Sequence, residues 1–320
     1  MTTLLDMIDE VSMNLSGYTL QQDRATHIKT AVAATASSSA TPIVLSLGST
    51  DSVGKGIIEI DEELMWVDNY DRVGNTATIA PYGRAYLGTT LATHAVDAKV
   101  TIAPTFPRFT IKRAINDTIS AIGSSIFAAS TTTITSNAAA SAFRLPATGT
   151  TLNISKILSI AYQALGSSKE WVPIRNYRFD GNANSTAFTS GQTVSIYDYI
   201  PSGRTVQIVY ATDPSPFTTV IDATYTTLTA INDQVFTSIT KLPESCKDLV
   251  ILGATYRLLS NLDPARASMV SPQADETDSK RPYGSSQSLT KQVYALFNQR
   301  LNEEIRNQQD KYPIRVHYSL

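Results

Sequence analysis

The stretch from Gly56 to Pro104 constrains this chain more than any other. It begins Gly56-Ile-Ile-Glu-Ile-Asp-Glu-Glu-Leu-Met-Trp-Val-Asp68, continues through Thr76-Ala-Thr-Ile-Ala-Pro-Tyr-Gly-Arg-Ala-Tyr-Leu-Gly-Thr-Thr90, and closes on Lys99-Val-Thr-Ile-Ala-Pro104. Ile58, Ile60, Leu64 and Val67 mix with acidic residues in short runs, and Asn69-Tyr-Asp-Arg-Val-Gly-Asn75 is a polar turn of the kind that joins antiparallel strands. Pro81, Gly83 and Gly88 interrupt the strand pattern, so the residues around Arg84 are expected to form a shaped loop held by local hydrogen bonds. Arg84 and His94 read as scaffolding of that loop, because neither has a nucleophile or a metal-ligand set near it in sequence.

Within this stretch Arg84, Gly88, Thr89, Thr90 and His94 follow the order Arg-x-x-x-Gly-Thr-Thr-x-x-x-His. The pattern resembles a small β-module of virion structural proteins of tailed bacteriophages, in which paired strands lead into such a turn and then a closing strand. The order of elements around it, with helical segments on both sides and near the C-terminus, resembles the head-to-tail connector (adaptor) proteins that sit beneath the phage portal. The likeness covers roughly fifty residues through the motif and is architectural over the remainder. It implies a structural protein rather than an enzyme: a ring of copies, twelve by family habit, docked on the portal protein and passing the channel on to the next neck or tail component. Genome DNA would cross the lumen without sequence-specific binding, no cofactor or metal would be held, and the site of action would be the head-tail junction of a virion made in the host cytoplasm.

Composition bounds the alternatives. The chain has 320 residues, 42% of them apolar and 17% charged, so two or three domains with real cores are expected. A net charge of -2 gives no global basic field for nucleic acid or an anionic membrane. Cys246 is the only cysteine and lies in an apolar helical run, where a small buried thiol is the expected role. The first residues, Met1-Thr-Thr-Leu-Leu-Asp-Met-Ile-Asp-Glu10, carry acids where a signal peptide has a positive region, and no run reaches the roughly 18 apolar residues of a membrane span.

Periodicity places four long helices. Leu4, Ile8, Val11 and Leu15 recur at helical spacing after the capping pair Thr3 and Asp6, and Ile111, Ile115, Ile119, Ile122 and Ile126 form a second stripe, with Lys112, Arg113, Asn116 and Asp117 mostly off that face. Leu249 to Ser260 is apolar on nearly every side, and Leu289, Val293, Leu296, Phe297, Leu301 and Ile305 mark a helix over about 286–311. Short Thr-, Ser- and Tyr-rich runs between 131 and 212 read as a sandwich of strands. The expected fold is therefore α+β: a four-helix bundle (1–26, 108–130 and 241–311) with two inserted antiparallel β-rich domains (27–107 and 131–240) and an extended tail, 312–320. In the tail Ile314, Val316, Tyr318 and Leu320 alternate with Arg315, His317 and Ser319, which suits an edge strand added to a neighbour or to the portal, or one folded back on its own subunit.

Catalytic and metal signatures do not assemble. Gly48-Ser-Thr-Asp-Ser-Val-Gly-Lys55 has five residues between its glycines where a phosphate loop needs four, followed by Gly56 in place of Ser or Thr. His27, His94 and His317 are far apart, with no cysteine or histidine cluster. Asp61, Glu62 and Glu63 read as a solvated acidic turn, and Asp180-Gly-Asn-Ala-Asn184 as a turn without calcium-loop spacing. The alternative to the connector role is a tail-associated protein that binds the host surface through the second β-domain. A depolymerising enzyme would require paired carboxylates at one cleft.

Overall fold

The computed structural model describes residues 1–313 apart from 20–22, 34–41, 49–52, 138–140, 147–153, 166–169, 220, 222 and 261–284. Three hydrophobic cores organise it.

The first core is helical. α1 (Leu4–Thr19), α2 (Arg108–Ile122), α5 (Lys247–Ser260) and α6 (Ser285–Lys311) pack around α5, and two short helices, α3 (Leu228–Asn232) and α4 (Phe236–Thr240), add Ile231 and Phe236. α1 starts at a reciprocal cap: the Thr3 amide donates to Asp6 Oδ2 at 2.8 Å and the Asp6 amide to Thr3 Oγ1 at 3.2 Å, which satisfies two end donors. α5 can sit close between α2 and α6 because residue 253 is glycine; a Cβ there would lie 2.3 Å from Thr118 Cγ2 and 3.0 Å from a ring carbon of Phe297. α6 carries Val293 and Phe297 into the core and reaches beyond it.

The second core lies inside a six-stranded antiparallel sheet made of β1 (Arg24–His27), β2 (Ile43–Ser46), β3 (Gly56–Ile60), β4 (Glu63–Asp71), β5 (Thr76–Ile79) and β6 (Lys99–Ile102). Its strand order is β1-β6-β3-β4-β5-β2. The sheet curls until its two edges meet: Ile28 bridges Leu47, the Lys29 amide donates to Ser46 O and the Gly48 amide to His27 O, both at 2.8 Å. Curling removes most of the free edge and encloses Ile58, Ile60, Met65, Val67, Ile79 and Val100.

The third core is sandwiched between two sheets. The larger has the order β10-β9-β13-β7 and comprises β7 (Ala128–Thr135), β9 (Ile154–Gln163), β10 (Trp171–Ile174) and β13 (Thr205–Thr212). The smaller has the order β11-β12-β8, with β8 (Ala142–Arg144), β11 (Tyr177–Asp180) and β12 (Thr193–Ile196). Ile160, Val206 and Ile208 from one sheet share a core with Leu145, Val194 and Ile196 from the other side.

The expected four-helix bundle with two β-insertions is overturned. Among the described residues thirteen strands in three sheets, one of them curled on itself, stand against six α-helices, and both β-units carry cores of their own. The helical layer is also built from more than four helices. The physical reason is that stripe periodicity favours long helices, whereas strands of three to five residues such as β8 or β12 leave almost no period in Thr- and Ser-rich sequence.

Candidate functional site

The tip of the β3–β4 hairpin brings the sequence motif together. Ile60 pairs with Glu63, which leaves Asp61 and Glu62 as a two-residue turn, and both adopt positive φ, 46° and 74°. That is the turn geometry matching strand twist, but it favours Asn-Gly; a glutamate at the second position is strained and must be held from outside. Asp61 and Glu63 reach toward the loop after β5, and Glu62 reaches toward α2.

On the loop side Glu63 is fully buried and accepts from every direction. Arg84 grips it with Nε at 3.0 Å and Nη2 at 2.7 Å, the amides of Ala85 and Ala92 donate at 2.9 and 3.0 Å, and His94 Nε2 lies 2.9 Å away. Arg84 completes its fork on the carbonyls of Ala33 and Ala92 at 2.7 and 2.6 Å. His94 is itself fully buried, with Nδ1 3.0 Å from the half-exposed Asp61 carboxylate, and its backbone pairs with Val32. Thr89 Oγ1 accepts from the Leu64 amide at 3.1 Å and lies 3.0 Å from Tyr86 O, to which it donates. Gly83 precedes Arg84 where a Cβ would meet Ala80 O at 2.8 Å and Trp66 O at 3.0 Å. Tyr82, Ala85 and Leu87 all have positive φ, so the loop is strained backbone over-determined by buried bonds.

The electrostatics follow from this geometry. Burial alone would raise the Glu63 carboxyl, but the bonds from His94, Arg84, Ala92 and Ala85 outweigh it and hold it at about 2. Burial works to lower the His94 pKa, yet Asp61 and Glu63 outweigh that and raise it above the ordinary imidazole value. With a carboxylate at each nitrogen the ring donates twice, as an imidazolium. Both ring nitrogens are therefore engaged by carboxylates, and the assembly braces a loop.

On the helix side Glu62, read from sequence as solvated, is buried. Its carboxylate accepts from Lys112 Nζ and, at 2.9 Å, from Asn232 Nδ2, while Arg108 Nε stands 3.7 Å away and Arg108 Nη2 pairs with Asp9 at 2.9 Å. Lys112, far from falling off the buried stripe, is 2% exposed. Burial lowers its pKa, partly offset by Glu62. Glu59 accepts from the Arg108 amide at 2.7 Å, and burial pushes its carboxyl up to about 7.

Among the motif residues, then, Arg84, Thr89 and His94 converge on the hairpin tip, Gly88 supplies a backbone position with φ of 78°, and Thr90 lies half-buried beside them. Glu62 and Glu63, read from sequence with Asp61 as a solvated turn, are instead buried and complete the site together with Lys112 and Glu59. One signal was present for Glu63: it stands in phase with Met65 and Val67 on β4, both fully buried. The candidate partner-binding residues Ile314, Arg315, Val316, His317, Tyr318 and Leu320 lie outside the described residues, as do positions 49–52 of the glycine-flanked loop. Asp180 and Asn184 form local turns, each accepting from the amide two residues on. Among the described residues no group of three or more His, Cys, Asp or Glu side chains is placed to hold a metal ion, and no helix is long and apolar enough to cross a membrane. No family model matches the chain, and a search of curated proteins returns no match.

Proposed function

We propose that this chain is a structural virion protein, a head-to-tail adaptor that forms a ring under the portal and extends the DNA channel toward the tail. The observation that carries the reading is the Arg84–Glu63–His94 assembly: the residues that resemble the phage module are used wholly to brace a loop, with each charged group satisfied inside the protein. A structural part needs such rigidity, and an enzyme would leave one of these groups free for substrate. α6 adds a strut of 27 residues, about 40 Å long, whose end is fastened to the second β-unit where Gln308 clamps both backbone groups of Phe127.

The test is native mass measurement of the purified protein with and without portal-bearing, tailless heads, followed by co-sedimentation. Monomers or small oligomers alone and a ring, twelve copies by the family likeness, on the heads is the expected result. A stable trimer in both samples overturns it. A second reading, recognition of a host surface by the second β-unit, is favoured by the exposure of Trp171, Tyr197 and Tyr199 there. Adsorption of the free protein to host cells, without heads, would select that reading instead.

A further inference from the structure

β9 is longer than the strand beside it. Its pairing with β10 covers Ile160–Gln163, whereas on its other side it pairs with β13 from Tyr162 back to Ile154. Among the described residues no strand pairs with Ser155–Ser159 on the β10 side, and Ser155, Lys156 and Ser159 are exposed. The pairing with β13 shifts register twice along this stretch, which adds twist and limits any further strand to a few backbone pairs. Beside the open edge lies a groove of about 170 Å³ lined by Ile157, Leu158, Pro173, Tyr177, Tyr312 and Pro313.

The C-terminal helix ends at this groove. Gln308 accepts from the Phe127 amide at 3.1 Å and donates to its carbonyl at 2.6 Å. The Phe127 ring lies 5.7 Å from the Tyr312 ring and 4.4 Å from Lys156 Nζ, so the end of α6 is fastened against β7 and β9. Pro313 therefore stands in the groove wall, and the tail Ile314–Leu320 begins there.

We propose that residues 314–320 of the same chain occupy this groove and add a short strand to the open edge of β9. An uncovered edge is a template for unwanted pairing, and among the described residues no strand covers Ser155–Ser159 on this side. Five edge residues span roughly 17 Å and seven tail residues reach roughly 23 Å at about 3.3 Å each, so the tail is long enough to cover the edge. The sequence alternates as a strand with one buried face requires, and Ile314 or Val316 supplies a branched apolar side chain for the groove. A tail from the same chain enters with almost no loop to close, whereas a neighbour's tail would have to compete with it at a disadvantage in effective concentration. The inference does not depend on the adaptor role.

Paired cysteines test it in the full chain: Ser159→Cys combined with Val316→Cys, and Ser159→Cys combined with Tyr318→Cys, oxidised at high dilution. Cys246 stays silent because burial pushes its thiol up to about 12. An intrachain bond in either pair, running as a monomer on a non-reducing gel, is expected; covalent dimers alone, or no bond in both pairs, would overturn the proposal. Independently, ending the chain after Pro313 is expected to speed amide exchange of residues 155–159 about tenfold while residues 206–211 of β13 keep their rates. Equal exchange at 155–159 in the two forms would also overturn it.

Discussion

The two β-units reach order by different means. The curled sheet around Ile58 and Met65 holds its longest irregular loop with ionised groups: Glu63, Arg84, His94 and Asp61 sit at one hairpin tip, and Glu62, Lys112 and Glu59 join that tip to the helices. The sandwich around Val206 and Ile208 has a core of aliphatic and aromatic side chains; its carboxylates Asp180 and Asp198 accept from backbone amides at turns open to water, and its buried turn is fixed by a neutral group, Ser136 Oγ, which donates to Pro201 O at 2.7 Å and accepts from the Arg204 amide at 2.8 Å. Buried charges are costly to desolvate and very costly to orphan, whereas a lost neutral bond costs little. The first unit should therefore be brittle and responsive to pH, and the second more forgiving and less responsive, since its turn carboxylates are open to water. The sequence supplies a probe for each, because of its two tryptophans Trp66 lies on β4 against Tyr86 and Trp171 on β10.

The harshest break is Glu63→Ala. It leaves Arg84 and His94 as buried cations and strips two amides of their acceptor. A loss on the order of 3–5 kcal/mol is expected in the unit that reports through Trp66. Denaturant unfolding in a Trp171→Phe background follows that unit, and the Trp66→Phe counterpart follows the sandwich. If Glu63→Ala moves the two transitions equally, the units unfold as one and the contrast between them fails as a statement about stability.

The next effect is a pH dependence. The Glu59 carboxyl titrates at about 7 in the folded chain and near 4.5 when free, so the folded state holds an extra proton between those values. Its contribution to stability is present below pH 4.5 and is lost as pH rises through 7. His94, raised by its carboxylates, adds a loss in the same direction above its ordinary value of 6.5. Glu63, held at about 2, acts oppositely: its contribution is complete above pH 4.5 and is lost as pH falls toward 2. The Trp66 unit should thus be most stable in mild acid. Glu59→Gln should flatten the fall between pH 4.5 and 7, by no more than about 3 kcal/mol across it. An unchanged profile would remove Glu59 as its cause.

The same contrast decides what is legible from sequence. The strands of the first unit, the cap of α1 and the long helices are written in local pattern: Ile58, Met65 and Val67 keep phase on the strands, Thr3 and Asp6 close a turn, and Val293 and Phe297 repeat at helical spacing. The motif Arg84 to His94 is visible as a shaped loop. Its chemistry is not, because an acidic triplet is solvated unless a partner is supplied from elsewhere, and Arg84 lies 21 residues from Glu63 while Lys112 lies 50 from Glu62. No local period encodes such a pairing. The overall balance of the fold escapes for a related reason: beside local hairpins such as β3 with β4, the sheets are completed by contacts distant in sequence, such as β7 with β13 or β1 with β6.

The smallest effects sharpen the contrast, because they ask whether a neutral bond costs the same in both settings. Thr89→Val in the braced loop removes the acceptor of the buried Leu64 amide while keeping the side-chain volume, and Ser136→Ala in the sandwich removes the group that joins Pro201 and Arg204. Stranding the Leu64 amide should cost about 1–2 kcal/mol; Ser136 is as buried as Thr89, but the backbone groups it joins belong to the half-buried Pro201 and Arg204, water can reach them once the hydroxyl is gone, and about 0.5–1 kcal/mol is expected there. Neither group titrates in the relevant range, so both losses should be the same at pH 5 and pH 8. The Trp66 and Trp171 signals measure them at the two pH values. If the Thr89→Val loss grows at pH 8, the neutral bond is coupled to the ionised brace and the loop behaves as one electrostatic unit; if Ser136→Ala shows such growth, the sandwich is not the neutral region that its hydrogen bonds describe.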